Sequence, residues 1–264
     1  ILILLLPFLS FLALGIGGKW MSHRTAGTIG TLVLAAVPLL LIFKEPDLST
    51  TIVTALIFAS LLFIAGLSYK IVLTVLGICI PTGLIGITVI LRMAQSSEDY
   101  RFGRIMAWLY PQDPRWSDIA AQQQNSIMAI GSGQLWGKGL NNSAATSMKN
   151  ANYIIEPQTD FIFAVAGEEL GFIGTMVIVL LLLFIVIECI LIARKAKDLA
   201  GRLICCGMAA LIGFQSIFNI FVATGLMPNT GIPLPFVSYG LTSLLSLYLG
   251  MGFVLNVGLQ PKKY

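Results

Sequence analysis

The chain has 264 residues, of which 57% are hydrophobic and 11% charged. Soluble domains carry about 25% charged and about 45–50% apolar residues, so this composition excludes an ordinary cytosolic enzyme and a disordered chain. Lys and Arg number 16 and Asp and Glu 12; the net charge of +4 is too small an excess to point to nucleic acid.

The sequence opens on Ile1 inside an apolar run, with no basic stretch before it and no small-residue cleavage site after it. It therefore reads as a piece starting in or beside a membrane helix, not as a signal peptide. Crossing the hydrocarbon takes ~20 largely apolar residues. Seven stretches approach this, at roughly 1–17, 26–43, 50–68, 71–91, 161–193, 203–226 and 239–258. Exposed backbone polar groups are too costly in lipid for open sheet, so an all-α bundle of membrane helices is expected. Pro38 and Pro81 fall inside spans, where neighbours can satisfy a freed carbonyl. Cys79, Cys189, Cys205 and Cys206 all lie in apolar runs and read as packing residues.

The connections assign sides. Lys19, Arg24, Lys70, Arg194, Lys195, Lys197, Arg202, Lys262 and Lys263 follow alternate spans, accompanied by Asp198 alone among the acids. The opposite short connections, 44–49 and 227–238, carry one basic residue, Lys44. The positive-inside rule places the basic set and the C-terminus in the cytoplasm. Residues 44–49, 92–160 and 227–238 are then expected outside, as parts of one membrane domain covering 1–264.

Loop 92–160 is too long for a plain connector. Its segment 101–109 reads as an interfacial amphipathic helix. Arg92, Arg101, Arg104 and Arg115 suit contact with phosphate oxygens. Trp108, Tyr110, Trp116, Trp136 and Tyr153 suit the headgroup zone. Plain interfacial anchoring explains the same residues. Residues 131–139, GSGQLWGKG, make a poor nucleotide loop because no strand precedes them; a flexible turn bringing backbone close to a helix or to substrate is expected. Pro228, Pro233 and Pro235 with Gly231 forbid a regular helix in 227–238, which reads as a re-entrant outer loop.

Eight acids lie on or near the outer side: Glu45, Asp47, Glu98, Asp99, Asp113, Asp118, Glu156 and Asp160. Glu168, Glu169 and Glu188 fall within the fifth span. Carboxylates at membrane depth face a cavity or a partner. Glu168 and Glu169, ~12–14 Å below Asp160 along one helix, either line a descending polar cavity or pair with Arg or Lys from another span. Glu45 and Asp47 either belong to that cavity or hold two spans in position. Asp160 reads equally well as a reacting carboxylate and, with Thr159, as the N-cap of the fifth span.

Four motifs in order, EPDLST (45–50), GSGQLWGKGL (131–140), EPQTDFIFAVAGEELGFIG (156–174) and TGIPLPFVSYG (230–240), resemble those of the SEDS family (shape, elongation, division and sporulation), which includes FtsW, RodA and SpoVE. The resemblance implies ten spans, so about three would precede Ile1. It implies a peptidoglycan glycosyltransferase that polymerises lipid II on the outer face of the bacterial cytoplasmic membrane, beside a class B penicillin-binding protein. It also implies an essential aspartate at Asp160. Glu45 and Ser49 depart from the family's usual Gln and Gly, and Leu241 from a second Gly.

Such a reaction needs a base for the attacking sugar hydroxyl. The single histidine, His23, falls on the cytoplasmic side, so a carboxylate is required and Asp160 is the best placed. Pyrophosphate departure needs positive charge from arginine or a divalent cation, Mg or Mn. Arg101, Arg104, Lys138 and Glu156 are the candidate substrate contacts, and Asp160 with Glu156 the candidate cation ligands. Glu45, Asp47, Glu168, Glu169, Pro233, Pro235 and Ser238 are expected to line or brace the cavity. No nucleotide and no nucleic acid is expected. The competing readings are a lipid II flippase, or a non-catalytic scaffold of division or elongation.

Overall fold

The structure, a computed structural model, describes residues 48–66, 100–140 and 157–260. Every regular element among the described residues is helical. They are α1 (Leu48–Ile64), α2 (Tyr100–Leu109), α3 (Ser117–Gly133), α4 (Ile162–Lys195), α5 (Leu199–Ala223) and α6 (Leu241–Leu259). The chain divides into two compact units, 1–58 and 59–264. The described part of the first is the beginning of α1. Everything below concerns the second.

Helices α4, α5 and α6 are each long and apolar enough to cross a membrane, and α1 is a shorter apolar helix. They correspond to the expected spans at 161–193, 203–226, 239–258 and 50–68. The expected spans at 1–17, 26–43 and 71–91 lie outside the described residues. So do Lys262 and Lys263, together with Glu45, Asp47 and Glu156. Helix α5 starts at Leu199, ahead of its apolar run, because the Asp198 side chain accepts from Gly201 N at 3.0 Å and caps it.

Helices α4 and α5 form a tight antiparallel pair, with α6 packed on both and α3 on the first part of α4. At the turn between α4 and α5, Arg194 and Lys195 close one helix and Arg202 lies in the first turn of the other. The helix contacts use small and sulfur side chains. Cys189, Ala193, Cys205, Ala209, Val254 and Val257 form one buried cluster. Without a hydrophobic drive between helices in lipid, close packing of such residues supplies the association. The outward face of α4 carries Met176, Leu180, Leu183, Phe184, Ile187 and Leu191, all exposed, as a lipid-facing surface requires.

The end of the bundle away from the basic turn is built differently. Phe161, Ala164, Ala129 and Val222 are buried together where α3, the start of α4 and the end of α5 meet. Helix α5 ends there with carbonyls that lack intrahelical donors. Polar side chains of α3 supply them. Gln123 Nε2 donates to Val222 O at 2.9 Å and to Met227 O at 2.6 Å, and Ser126 Oγ donates to Ala223 O at 2.9 Å. Trp108 of α2 donates from Nε1 to Gly225 O at 2.9 Å. The segment 101–109 is thus helical, as expected, and Gly103 lets it sit directly on Trp116 and Ile119.

Candidate active site

Asp160 sits in the last turn before α4, half-buried. Phe161 occupies the N-cap position of α4, and its carbonyl accepts from Ala164 N and Val165 N. Asp160 and Thr159 therefore precede the cap instead of forming it. Their backbone is fixed from elsewhere. Three consecutive carbonyls each accept a hydrogen bond: Gln158 O from Tyr239 N at 2.8 Å, Thr159 O from Ser238 Oγ at 2.6 Å, and Asp160 O from Asn219 Nδ2 at 2.8 Å. Ser238 Oγ also accepts from Leu234 N at 2.7 Å, closing the turn 234–238. Ile232, Leu234 and Pro235 are buried beneath it, and Pro233 is half-buried. The proline-rich connection is non-helical, as its prolines dictate, and is locked onto the turn that carries Asp160.

Backbone strain gathers at the same place. Phe236 has φ 63, a left-handed conformation rare for a bulky residue. Gly231 has φ 68, and a Cβ there would lie 3.3 Å from Asp160 Oδ2. Glycine thus leaves the carboxylate room that any side chain would crowd. Beside it, Thr230 Oγ1 and Asn229 Oδ1 are buried atoms without a hydrogen-bond partner.

The second irregular feature lies in α4 itself. Gly171, at φ 69 and ψ −168, breaks the helix. The stretch 172–195 still spans about 36 Å by the helical rise, enough for ~30 Å of hydrocarbon. The break would orphan backbone groups on both sides, and the segment 134–139 satisfies them. Lys138 N and Gly139 N donate to Glu168 O and Glu169 O at 2.9 and 3.0 Å, and Phe172 N and Ile173 N donate to Gln134 O and Leu135 O at 2.8 and 3.2 Å. A Cβ on Gly171 would strike Gly137 N, and one on Gly137 would strike Glu169 O. Gly133 and Gly137 therefore serve close backbone contact with α4, against Gly167 O and Glu169 O. Lys138 Nζ completes the patch, 2.8 Å from Glu168 Oε1. Glu168 is 1% exposed and Lys138 23%.

A family model described as "Cell cycle protein", covering FtsW, RodA and SpoVE, matches residues 3–263. The chain belongs to this family. It is 35% identical over 239 residues to a probable peptidoglycan glycosyltransferase FtsW of Geobacter sulfurreducens, covering 90% of this chain and 60% of that protein. It is 38% identical over 234 residues to stage V sporulation protein E of Bacillus subtilis, covering 88% and 60%. Two solved structures are similar at 25% identity. One is a peptidoglycan synthase complex, with TM-score 0.61 over 94% of this chain and 67% of that one. The other is the rod shape determining protein RodA of Thermus thermophilus in a mutant form, with TM-score 0.52 over 95% and 63%. The chain spans about 60% of the length of the curated relatives it matches.

Within this FtsW/RodA/SpoVE chain the expected site residues separate into groups. Asp160, Pro233, Pro235 and Ser238 come together, as described. Glu168 is buried against Lys138, a cationic partner contributed by the 134–139 segment and not by another span. Lys138, expected at the substrate, directs its ammonium to Glu168. Glu169 is half-buried and contributes its carbonyl to the patch. Arg104 is half-buried on α2, and the side chain of Arg101 lies outside the described residues. Arg115 is held by Asp113, Nη2 to Oδ2 at 2.7 Å; its guanidinium hydrogen bonds draw the Asp113 carboxyl below its usual range and raise Arg115. Asn219, Gln123, Ser126 and Gly171 were missed by motif reading. The three polar side chains act on backbone carbonyls, so their signal lies in the partner's geometry, whereas Gly171 is one glycine among several until its positive φ is seen.

Proposed function

We propose that this chain forms the reacting part of a peptidoglycan glycosyltransferase that polymerises lipid II, with Asp160 as general base. The observation that carries the reading is the half-buried carboxylate at the start of α4, braced by residues 219 and 231–239 at the end of the bundle remote from the basic α4–α5 turn. By the positive-inside rule that end faces the outside and the C-terminus the cytoplasm. The named relatives and the solved peptidoglycan synthase complex support the same chemistry, and the coupling of polymerisation to crosslinking in that complex is in keeping with a crosslinking partner, here taken to be a class B penicillin-binding protein.

In this reading a sugar hydroxyl of the acceptor glycan attacks the anomeric carbon of a lipid-linked donor. Its proton passes to an Asp160 carboxylate oxygen as the new C–O bond forms. The bond from the anomeric carbon to the pyrophosphate breaks, and the lipid pyrophosphate leaves. General-base assistance is worth about 10²–10⁴ in rate. The rigid turn 158–161 holds the carboxylate in place for attack, and the lipid-facing α4 keeps the polyprenyl tails in the bilayer beside it. Arg101 and Arg104 on α2 are the candidates for holding the pyrophosphate.

No group of three or more His, Cys, Asp or Glu gathers among the described residues, so a divalent cation would be held there by Asp160 together with substrate phosphates. Mg²⁺ is commonly held in that way and would supply charge at the leaving group. The test is polymerisation of purified lipid II by the full-length protein reconstituted with its penicillin-binding partner. Asp160→Ala is expected to abolish glycan synthesis at wild-type membrane levels. Polymerisation retained by Asp160→Ala with loss of transbilayer lipid II movement would replace this reading with transport.

A further inference from the structure

One side chain at this site belongs to none of the motifs. Asn219 lies near the end of α5, 1% exposed. Its Nδ2 donates to Asp160 O at 2.8 Å and to Ile232 O at 2.7 Å. Both hydrogens of one amide are therefore used. They tie together the two backbone segments that flank the carboxylate, the turn bearing Asp160 and the residue following Gly231, which itself lies against Asp160 Oδ2. The amide has a single workable orientation, because turning it over would set Oδ1 against two carbonyl oxygens. In that orientation Oδ1 is buried without a hydrogen-bond partner. Packing alone disfavours such an atom, so the gain must come from where the two donors hold the backbone.

We propose that Asn219 is a positioning residue for Asp160: by fixing two carbonyls at once it sets the carboxylate's place relative to the wall formed at Gly231 and Ile232. This rests on the reading of Asp160 as the base. Ser238 fixes the neighbouring carbonyl of Thr159, but from the loop itself. Asn219 is the pin that refers Asp160 to the membrane helix α5. A misplacement of about 1 Å costs a reaction of this kind about 10²-fold.

The experiment compares Asn219→Leu, which keeps the volume and removes both donors, with Asn219→Gln, which keeps the amide on a longer stem. Both are assayed alongside Asp160→Ala in the full-length protein with its penicillin-binding partner, with purified lipid II as substrate and equal membrane amounts. Asn219→Leu is expected to lower kcat about 10²-fold with KM within about twofold, and Asn219→Gln to recover about tenfold of that loss. Should the Leu variant fail to accumulate, Asn219→Asp, which keeps the shape and offers at most one donor, is held to the same kcat criterion. A kcat within about threefold of wild type, or a change confined to KM, overturns the positioning role while an inactive Asp160→Ala leaves the base in place. An active Asp160→Ala overturns the base itself, and the positioning role with it.

Discussion

Two interruptions of regular helix lie near the same end of this bundle, and they are mended by opposite means. At Gly171 the break in α4 is closed by backbone: four main-chain hydrogen bonds to residues 134–139, made possible by glycines at 137 and 171, with one ion pair added. Ahead of α4, the turn at Asp160 is held largely by side chains, Asn219 and Ser238, with Tyr239 N as the backbone contribution. A backbone patch tolerates no bulk and has no adjustable part. Side-chain pins can be removed while the fold persists. The first junction is therefore expected to fail as a loss of protein, and the second as a loss of activity.

The largest effect separating them is expected at the patch. Gly171→Ala forces a Cβ into a left-handed position against Gly137 N, which should destabilise by roughly 3–5 kcal/mol and deplete the protein from the membrane. An immunoblot of membrane fractions checks it; normal levels would mean that the break is not built as described. Next comes the ion pair, where the two truncations should differ. Lys138→Ala takes a cationic partner from a carboxylate that is 1% exposed and should cost up to about 3 kcal/mol, whereas Glu168→Ala leaves a lysine that can turn to water and should cost less. The double variant is expected to unfold at a higher temperature in detergent than Lys138→Ala alone.

Gln123→Ala removes the side-chain donor to Met227 O and to Val222 O, which keeps Gly225 N at 3.1 Å, and should lower stability by about 1–2 kcal/mol, read from the same unfolding curves. The smallest effect is expected at Asp113. Its carboxyl is drawn below the ordinary value of about 4, so its contribution is present at neutral pH and vanishes only as pH falls through that lowered value. Arg115 is exposed and Asp113 half-buried at the surface, where such a pair is worth little, so Asp113→Asn should lower the unfolding midpoint only marginally at pH 7.

How much of this was legible in the sequence follows from what each part is made of. The spans α4, α5 and α6 announce themselves because lipid-facing helices are apolar on every side. The amphipathic α2 is visible for the opposite reason, its alternation of Arg with aromatic and aliphatic residues. Helix α3 escaped because its buried stripe is Ala120, Gln123, Ser126 and Ala129, small and polar residues that leave no hydropathy signal while they cap carbonyls of another helix. The position of Asp160 beside a proline-rich loop was readable from the motifs. Its support by Asn219 was not, because a buried asparagine inside an apolar run looks like any polar interruption until its two carbonyl partners are located. The glycines of 131–139 pointed to close backbone approach, and the structure supplies the partner, the break at Gly171. Glu168 was open to two readings, a cavity wall or an ion pair with another span; the cation beside it, Lys138, comes instead from the segment that mends the kink at Gly171, which periodicity does not reveal.

The most direct test of the account is the activity of Asp160→Asn, which keeps the size and the backbone contacts of residue 160 but removes its capacity to take a proton. Reconstituted at full length with its penicillin-binding partner and given lipid II, this variant should accumulate normally and form no glycan chains. Chain synthesis at the wild-type rate would contradict it.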